Sequence, residues 1–249
     1  MQNNINPNED LKLMADDEQY FRGVGKQYLS KSSVGPLLWD VRQFMTDTDH
    51  NINFELGSYF HHLLIEPEKA HLDHVVKSTT RTTKVYKEYV KNNDIPFAVL
   101  EHEKENIELC AKAMLNLPEF NDVIYDIENE FEVAAVGQIN GIWWKGKADI
   151  VAPDMIFDLK TTSDITRFVS SAYKYNYDVQ AYVYRMLFDR PMTFLVVCKK
   201  TMLCGWFKCS EEFYMSGQRK VERAIEQYNK YYGENATHDA KQYYINKTL

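Results

Sequence analysis

The chain of 249 residues is long enough for one domain with a sizeable core, and a hydrophobic fraction of 45%, with 13 Phe, 17 Tyr and 4 Trp, can fill it. The formal net charge of −7 excludes a surface coated in basic residues, although a local basic groove can coexist with an acidic remainder. No apolar run approaches the roughly 20 residues that cross a bilayer, and the start MQNNINPNEDLK is polar rather than signal-like, so a soluble intracellular protein without a membrane partner is expected.

Residues 1–16 are expected to form a flexible polar arm, followed over 17–249 by a single domain with a helical N-terminal portion. Asp17 to Lys26 reads as a short helical or irregular segment. In YLSKSSVGPLLWDVRQFM, a Ser-rich start precedes Val34, Leu37, Leu38, Val41 and Phe44 at helical spacing, so Ser32 or Ser33 is the expected N-cap. The stretch NFELGSYFHHLLIEPEKA carries Leu56, Tyr59, Phe60, Leu63 and Leu64 on one helical face, with Glu66 and Glu68 ending and solvating the helix. Residues 71–100 are charge-rich, with Arg81, Lys84, Lys87 and Lys91 near helical spacing. Glu101 to Leu117 is amphipathic through Ile107, Leu109, Ala111, Met114 and Leu115, and Pro118 stops it.

From Asp126 to Val133 alternation predicts a strand with Glu128, Glu130 and Glu132 on one face. Gly141 to Thr162 then reads as a β-hairpin turning at Ala152, Pro153 and Asp154. Asp149 and Asp158 lie on opposite sides of that turn. Asp158 and Lys160, two apart on a strand, project to one face while Leu159 points into the core. Two carboxylates with the Leu159 backbone carbonyl between them form an open oxygen-ligand set suited to magnesium or manganese. Lys160 stands where an ammonium can orient an attacking water or stabilise charge on a phosphate.

ITRFVSSAYKYNYDVQAYVYRMLF predicts one long helix or two with a break near Asn176, and it sets Gln180 and Tyr184 four apart on one face. Strands TFLVVCKK and CGWFKCS follow, then a terminal helix over EEFYMSGQRKVERAIEQYNKYYG and a weakly ordered tail. Cys110, Cys198, Cys204 and Cys209 show no CxxC pair and no His at zinc spacing, which predicts buried or half-buried free thiols. No P-loop, helicase motif or internal repeat suggests use of ATP.

Gly-Lys-Ala-Asp, a short turn and an apolar strand ending Asp-Leu-Lys-Thr-Thr together resemble the active-site core of the PD-(D/E)XK nuclease superfamily. Gly57, His61 and the following Leu-Leu-Ile-Glu-Pro resemble the G-x-x-x-H-x-L-L-x-E-P element of exonuclease VIII (RecE-type) proteins, and the Gln180–Tyr184 spacing resembles the Q-x-x-x-Y helix of RecB-type nucleases. The segment Leu29-Ser30-Lys31-Ser32 is similar to one that contacts the terminal DNA phosphate in the lambda-exonuclease-like branch. Some relatives hold an iron–sulfur cluster on one early cysteine and a tight late triplet, a spacing that the late cysteines here do not match.

The resemblance, spanning roughly Leu29 to Phe207, implies an α/β fold: a central mixed sheet flanked by helices, with a restriction-endonuclease-like core. It implies that His61 rather than its neighbour His62 reaches the metal site, where Asp149, Asp158, the Leu159 carbonyl and His61 hold one or two Mg²⁺ or Mn²⁺ ions. An acidic residue of the first strand assists the second ion; Glu130 is favoured and Glu132 stays open. Lys160 aligns the attacking water, Gln180 bonds Lys160, a water or phosphate, and Tyr184 braces Gln180. Ser32, helped by Lys26 or Arg22, would contact a terminal phosphate; the basic run over residues 71–100 reads by its charge pattern as a solvated face or, as the alternative, as a wall of a DNA channel.

The implied activity is metal-dependent exonucleolysis from DNA ends, 5′ to 3′ on duplex, making single strands for recombination, repair or phage replication. The implied setting is a ring-like homo-oligomer, trimer or tetramer, of a bacteriophage protein in the cytoplasm of a bacterial host, with a single-strand-annealing partner. Three alternatives stay open: a single-strand or flap-specific nuclease, a restriction-type endonuclease, and a DNA-end-binding protein with a nuclease-like fold.

Overall fold

The computed structural model describes residues 5–46 and 51–246. Two short helices, α1 (Pro7–Leu13) and α2 (Asp17–Phe21), lead through a 3-10 turn at Val24–Gln27 to α3 (Lys31–Trp39), and α4 (Ile52–Ile65) follows. Residues 1–4 of the expected arm lie outside the described residues, but the remainder is not a loose arm. Pro7 opens α1, where its missing N–H would have had no helical partner. Met14 is fully buried in a cluster with Tyr20 and Tyr28, and the Tyr28 hydroxyl donates to Asp10 at 2.8 Å.

The N-cap of α3 is Ser30, ahead of the expected Ser32 or Ser33. Leu29 is held extended against β-structure, its N–H donating to Trp143 O at 3.0 Å and its carbonyl accepting from Lys145 N at 2.8 Å, so the helix can begin only after it. The Ser30 N–H donates to the Ser33 hydroxyl at 3.0 Å, and the Ser30 and Ser32 hydroxyls stand 2.8 Å apart.

The charge-rich middle forms a small parallel pair, β1 (Val75–Val76) with β2 (Val99–Leu100), around α5 (Lys84–Asn92), which buries Tyr86 and exposes Lys84, Lys87 and Lys91. Next come α6 (Glu101–Leu115) and α7 (Pro118–Ile124). The strand expected from Asp126 starts only at Glu130, because the Asp126 carboxylate accepts the Glu128 N–H at 2.9 Å and makes a turn that leaves Ile127 98% exposed.

The principal sheet starts with β3 (Glu130–Ile139) and β4 (Ile142–Val151), antiparallel around Asn140 and Gly141 with φ of 50° and 78°. Positive φ at both central residues is what a tight Asn-Gly hairpin turn requires. Gly141 therefore closes this hairpin rather than opening the one that ends at Thr162. After the turn at Ala152–Met155, β5 (Ile156–Thr162) pairs with β4 only at Ile150–Phe157 and Val151–Ile156. Two helices, α8 (Phe168–Lys174) and α9 (Tyr177–Phe188), part at Asn176, whose φ of 56° breaks the helix. They carry the chain to β6 (Met192–Cys198), parallel to β5 along its whole length. Antiparallel β7 (Cys204–Lys208) and α10 (Glu211–Tyr231) complete the fold.

The five strands lie in the order β3-β4-β5-β6-β7, a mixed sheet flanked by helices, as the sequence predicts. The buried side chains of the sheet divide between two cores. Trp144, Ala148, Ile156, Phe194 and Val196 pack with residues of α3, α8, α9 and α10, whereas Ile150, Phe157, Leu159, Leu195 and Val197 pack with those of α4, α6 and α7. The tail carries a 3-10 turn at Ala240–Gln242, and Tyr243 sets its ring edge-on to Tyr231 at 5.9 Å. Its last residues, 247–249, lie outside the described residues. Cys110 and Cys198 are buried free thiols, and Cys204 and Cys209 are half-buried ones. Among the described residues no helix is long and apolar enough to cross a membrane.

Candidate metal centre and active site

Backbone geometry builds the site. Leu159 turns its N–H and carbonyl toward β4, but β4 and β5 have already parted by that level, so the two groups need other partners. Asp149 Oδ2 accepts the Leu159 N–H at 2.7 Å, and His61 Nε2 lies 2.9 Å from the Leu159 carbonyl. A carbonyl only accepts, so Nε2 carries the proton and Nδ1 is left as the ligand nitrogen, 3.5 Å from Asp149 Oδ1. Asp158 and Lys160 share the face of β5 opposite Leu159 and form an ion pair. Leu159 itself is fully buried among α4 and α6 side chains.

The structure thus brings His61, Asp149, Asp158, Leu159 and Lys160 together, and Gln180 of α9 joins them by donating to Asp158 Oδ1. Gln180 bonds a carboxylate, not Lys160. Tyr184 does not brace Gln180: its hydroxyl donates to Lys147 O at 2.6 Å and accepts from Lys147 N at 3.3 Å, pinning β4. Its ring also fills the space beside Gly146, where a Cβ would meet it at 2.7 Å.

Of the two glutamates, Glu130 is exposed at the start of β3, whereas half-buried Glu132 lies in the cluster. His61, Glu132 and Asp149 each offer a ligand atom within 4.8 Å of the others. Glu132 stands across from Asp149 in the ladder, between the Phe131–Ile150 and Val133–Ala148 pairs, and adopts a φ of 51°. A non-glycine residue held there stores roughly 1–3 kcal/mol of strain, of a kind that gathers at functional sites. Glu132 is thus the first-strand carboxylate that the fold aims at the cluster. Lys147 reaches it at 3.0 Å and reaches Asp17 of α2 at 2.6 Å. Sequence reasoning missed Lys147, though its i, i+2 relation to Asp149 on β4 already put both on one face.

Electrostatics divide the acids. Burial disfavours ionised Asp149, yet His61, Lys160 and the Leu159 N–H outweigh it and hold its carboxyl below the usual range. Burial and the neighbouring Asp149 charge raise Asp158 against the pull of Lys160. Glu132 is likewise raised by burial and by Asp149, against Lys147. Lys160 stays firmly protonated: burial opposes its charge, but Asp158 and Asp149 dominate.

The donor set fits a hard divalent cation. Carboxylate oxygens, one imidazole nitrogen and a carbonyl suit magnesium or manganese, and the ligand atoms of His61, Glu132 and Asp149 already lie within 4.8 Å of one another. The three residues expected at a terminal phosphate all lie on the surface. Ser32 is exposed beside Ser30, Lys26 is exposed on the 3-10 turn, and Arg22 is exposed and pairs with Glu18 at 3.4 Å.

Over residues 41–239 the sequence matches the family described as a PDDEXK-like domain of unknown function (DUF3799). No curated protein matches it in sequence. Among solved structures, a candidate exonuclease of Eubacterium rectale superposes with a TM-score of 0.59 at 16% identity, covering 85% of this chain and 87% of that one. A phage-related exonuclease of Haemophilus somnus matches at a TM-score of 0.33 and 14% identity, covering 69% of this chain and 92% of that one.

Proposed function

Because the chain belongs to the PDDEXK-like DUF3799 family, we propose that it is a divalent-metal-dependent deoxyribonuclease that hydrolyses phosphodiester bonds from DNA ends. One observation carries the reading: Asp149, Asp158, Lys160 and His61, from three separate elements, meet where β4 and β5 part. A structural ion pair between Asp158 and Lys160 needs neither the imidazole nor the further carboxylates gathered beside it.

His61, Asp149, Glu132, Asp158 and the Leu159 carbonyl would hold one or two Mg²⁺ or Mn²⁺ ions. A bound cation supplies Lewis-acid stabilisation of the charge that grows on the phosphoryl oxygens. The Leu159 N–H fixes the Asp149 carboxylate, and the Leu159 carbonyl fixes the His61 ring. Gln180 holds the Asp158 carboxylate. Lys160 keeps a full positive charge for a phosphate oxygen or the attacking water, in a site with little bulk solvent to dilute it. Spending that charge on the transition state is what raises the rate.

Digestion 5′ to 3′ on duplex, ring-like oligomers, an annealing-protein partner and a phage setting belong to this proposal as extensions of the resemblance. The test is a time course on linear DNA labelled at either end, with Mg²⁺ or Mn²⁺ against EDTA, beside closed circular and single-stranded DNA. Progressive nucleotide release from linear duplex alone is expected. Cleavage of closed circles would instead indicate an endonuclease, release from single strands or flaps only would move the substrate class, and binding without release would leave an end-binding protein.

A further inference from the structure

Two acidic groups of the cluster have a nearby ammonium, Asp158 with Lys160 and Glu132 with Lys147, and the third, Asp149, faces His61. Lys31 presents the converse. It is the first residue of α3, half-buried, and among the described residues its ammonium makes no ion pair and donates no hydrogen bond. It lies instead over an aromatic ring, with Nζ 5.4 Å from the Tyr177 ring centroid. Lys160 Nζ lies 5.3 Å from the same centroid, so one tyrosine carries both ammoniums. Tyr177 is itself fixed by stacking on Phe194 at 5.5 Å.

The placement of Lys31 follows from the gap in the sheet. Where β5 has left β4, Leu29 takes up hydrogen bonds to Trp143 and Lys145 instead, which delivers the start of α3 to the side of the opening that Lys160 faces. Burial above all, with repulsion from Lys160, lowers the pKa of the Lys31 ammonium to about 8, and Asp158 only partly compensates. A desolvated ammonium without a counter-ion gains most from an arriving anion.

We propose that Lys31 binds substrate, its ammonium taking a non-bridging oxygen of the phosphate adjoining the scissile one, with Tyr177 setting the spacing between Lys31 and Lys160. The assignment rests on the nuclease reading and names which group of the chain holds the strand beside the cleaved bond.

The test is steady-state digestion of linear duplex by wild type, Lys31→Gln and Lys31→Arg at several salt concentrations, with thermal melts of each. Loss of one phosphate contact should raise KM ~10-fold while kcat stays within about twofold. The slope of log kcat/KM against log salt should become shallower by about one, and Lys31→Arg should recover most of both effects. A second arm replaces the adjoining phosphate by a neutral methylphosphonate. Wild type should lose ~10-fold on that substrate and Lys31→Gln nothing more. Unchanged KM and slope in a Lys31→Gln protein that folds, or losses that multiply across the two arms, would overturn the assignment while leaving the nuclease reading intact. Should Lys31→Gln not fold, wild type on the methylphosphonate decides, and no loss there is likewise fatal. A wild type that releases no nucleotide with either metal overturns the nuclease reading itself, and this assignment with it.

Discussion

Strand β5 has two flanks that could hardly differ more. Toward β6 it is zipped from Ile156 to Thr162, and every residue of β6 is buried. Toward β4 it is paired only beside the turn, and beyond that point side chains replace the missing ladder: Asp149 takes the Leu159 N–H and His61 its carbonyl. The closed flank gives the sheet its rigidity, and the open flank turns two backbone groups into anchors for candidate metal ligands. A site hung on a strand fixed from its other side holds its carboxylates in place before any cation arrives, the kind of preorganisation that electrostatic catalysis uses.

The hardest blow to the open flank is Lys160→Ala. Lys160 is the cation nearest Asp158, but its backbone remains paired with Val196 on the closed flank, so the sheet should survive. We expect cleavage to fall by ~10²–10³-fold with binding of Mn²⁺ retained, measured as nucleotide release and by titration calorimetry. A variant that cleaves at the wild-type rate would remove Lys160 from the chemistry. Asp158→Asn is the sharper companion, since it should lose the metal as well.

Much of the site on the open flank is legible in the sequence. The Asp-Leu-Lys spacing put Asp158 and Lys160 on one face, and the helix of His61 followed from its apolar stripe. The choice between Glu130 and Glu132 could not be made that way. Alternation assigns both to one face, and what separates them is where the strand starts, set by the Asp126 turn, together with a left-handed φ at Glu132 that no periodicity reports. The partners of Tyr184 were equally hidden, because i, i+4 spacing says which helix residues are neighbours and not which strand lies beneath them. The early parting of β4 and β5 was hidden too: an apolar run, a turn and another apolar run look the same whether the ladder continues or opens.

The glutamate pair gives the next test. Glu132→Gln should weaken Mn²⁺ binding by ~10–100-fold, while Glu130→Gln, on an exposed side chain at the strand's edge, should leave it unchanged. Equal effects would mean that the whole acidic strand attracts the cation and that Glu132 has no particular place in the centre.

A smaller effect is expected where α9 props the open flank. Tyr184→Phe removes the hydroxyl that satisfies both backbone groups of Lys147, so the folded state should lose about 1–3 kcal/mol, read from urea denaturation. The ring stays to pack beside Gly146, so a Gly146→Val change, which drives a side chain into that ring, should be worse than the loss of the hydroxyl.

The smallest expected effect, and the one most particular to the open flank, is its pH dependence. Burial lowers the pKa of His61, but the Asp149 carboxylate more than reverses this and holds it above the ordinary 6.5. In the metal-free protein this contribution to stability is complete below 6.5 and is lost as pH rises through the raised value. The share from Asp149, held below its ordinary 3.8, is present above that value and is lost only as pH falls through the lowered one. Denaturation in EDTA from about pH 6 to about pH 9 should therefore show stability declining toward alkaline pH, by no more than about 1.4 kcal/mol per pH unit from this one group. His61→Gln should flatten that part of the curve. With Mn²⁺ the trend should reverse, because the proton on the imidazole competes with the cation and metal affinity grows as it leaves. A His61→Gln curve that declines as steeply as wild type would place the titration elsewhere and detach the imidazole from Asp149.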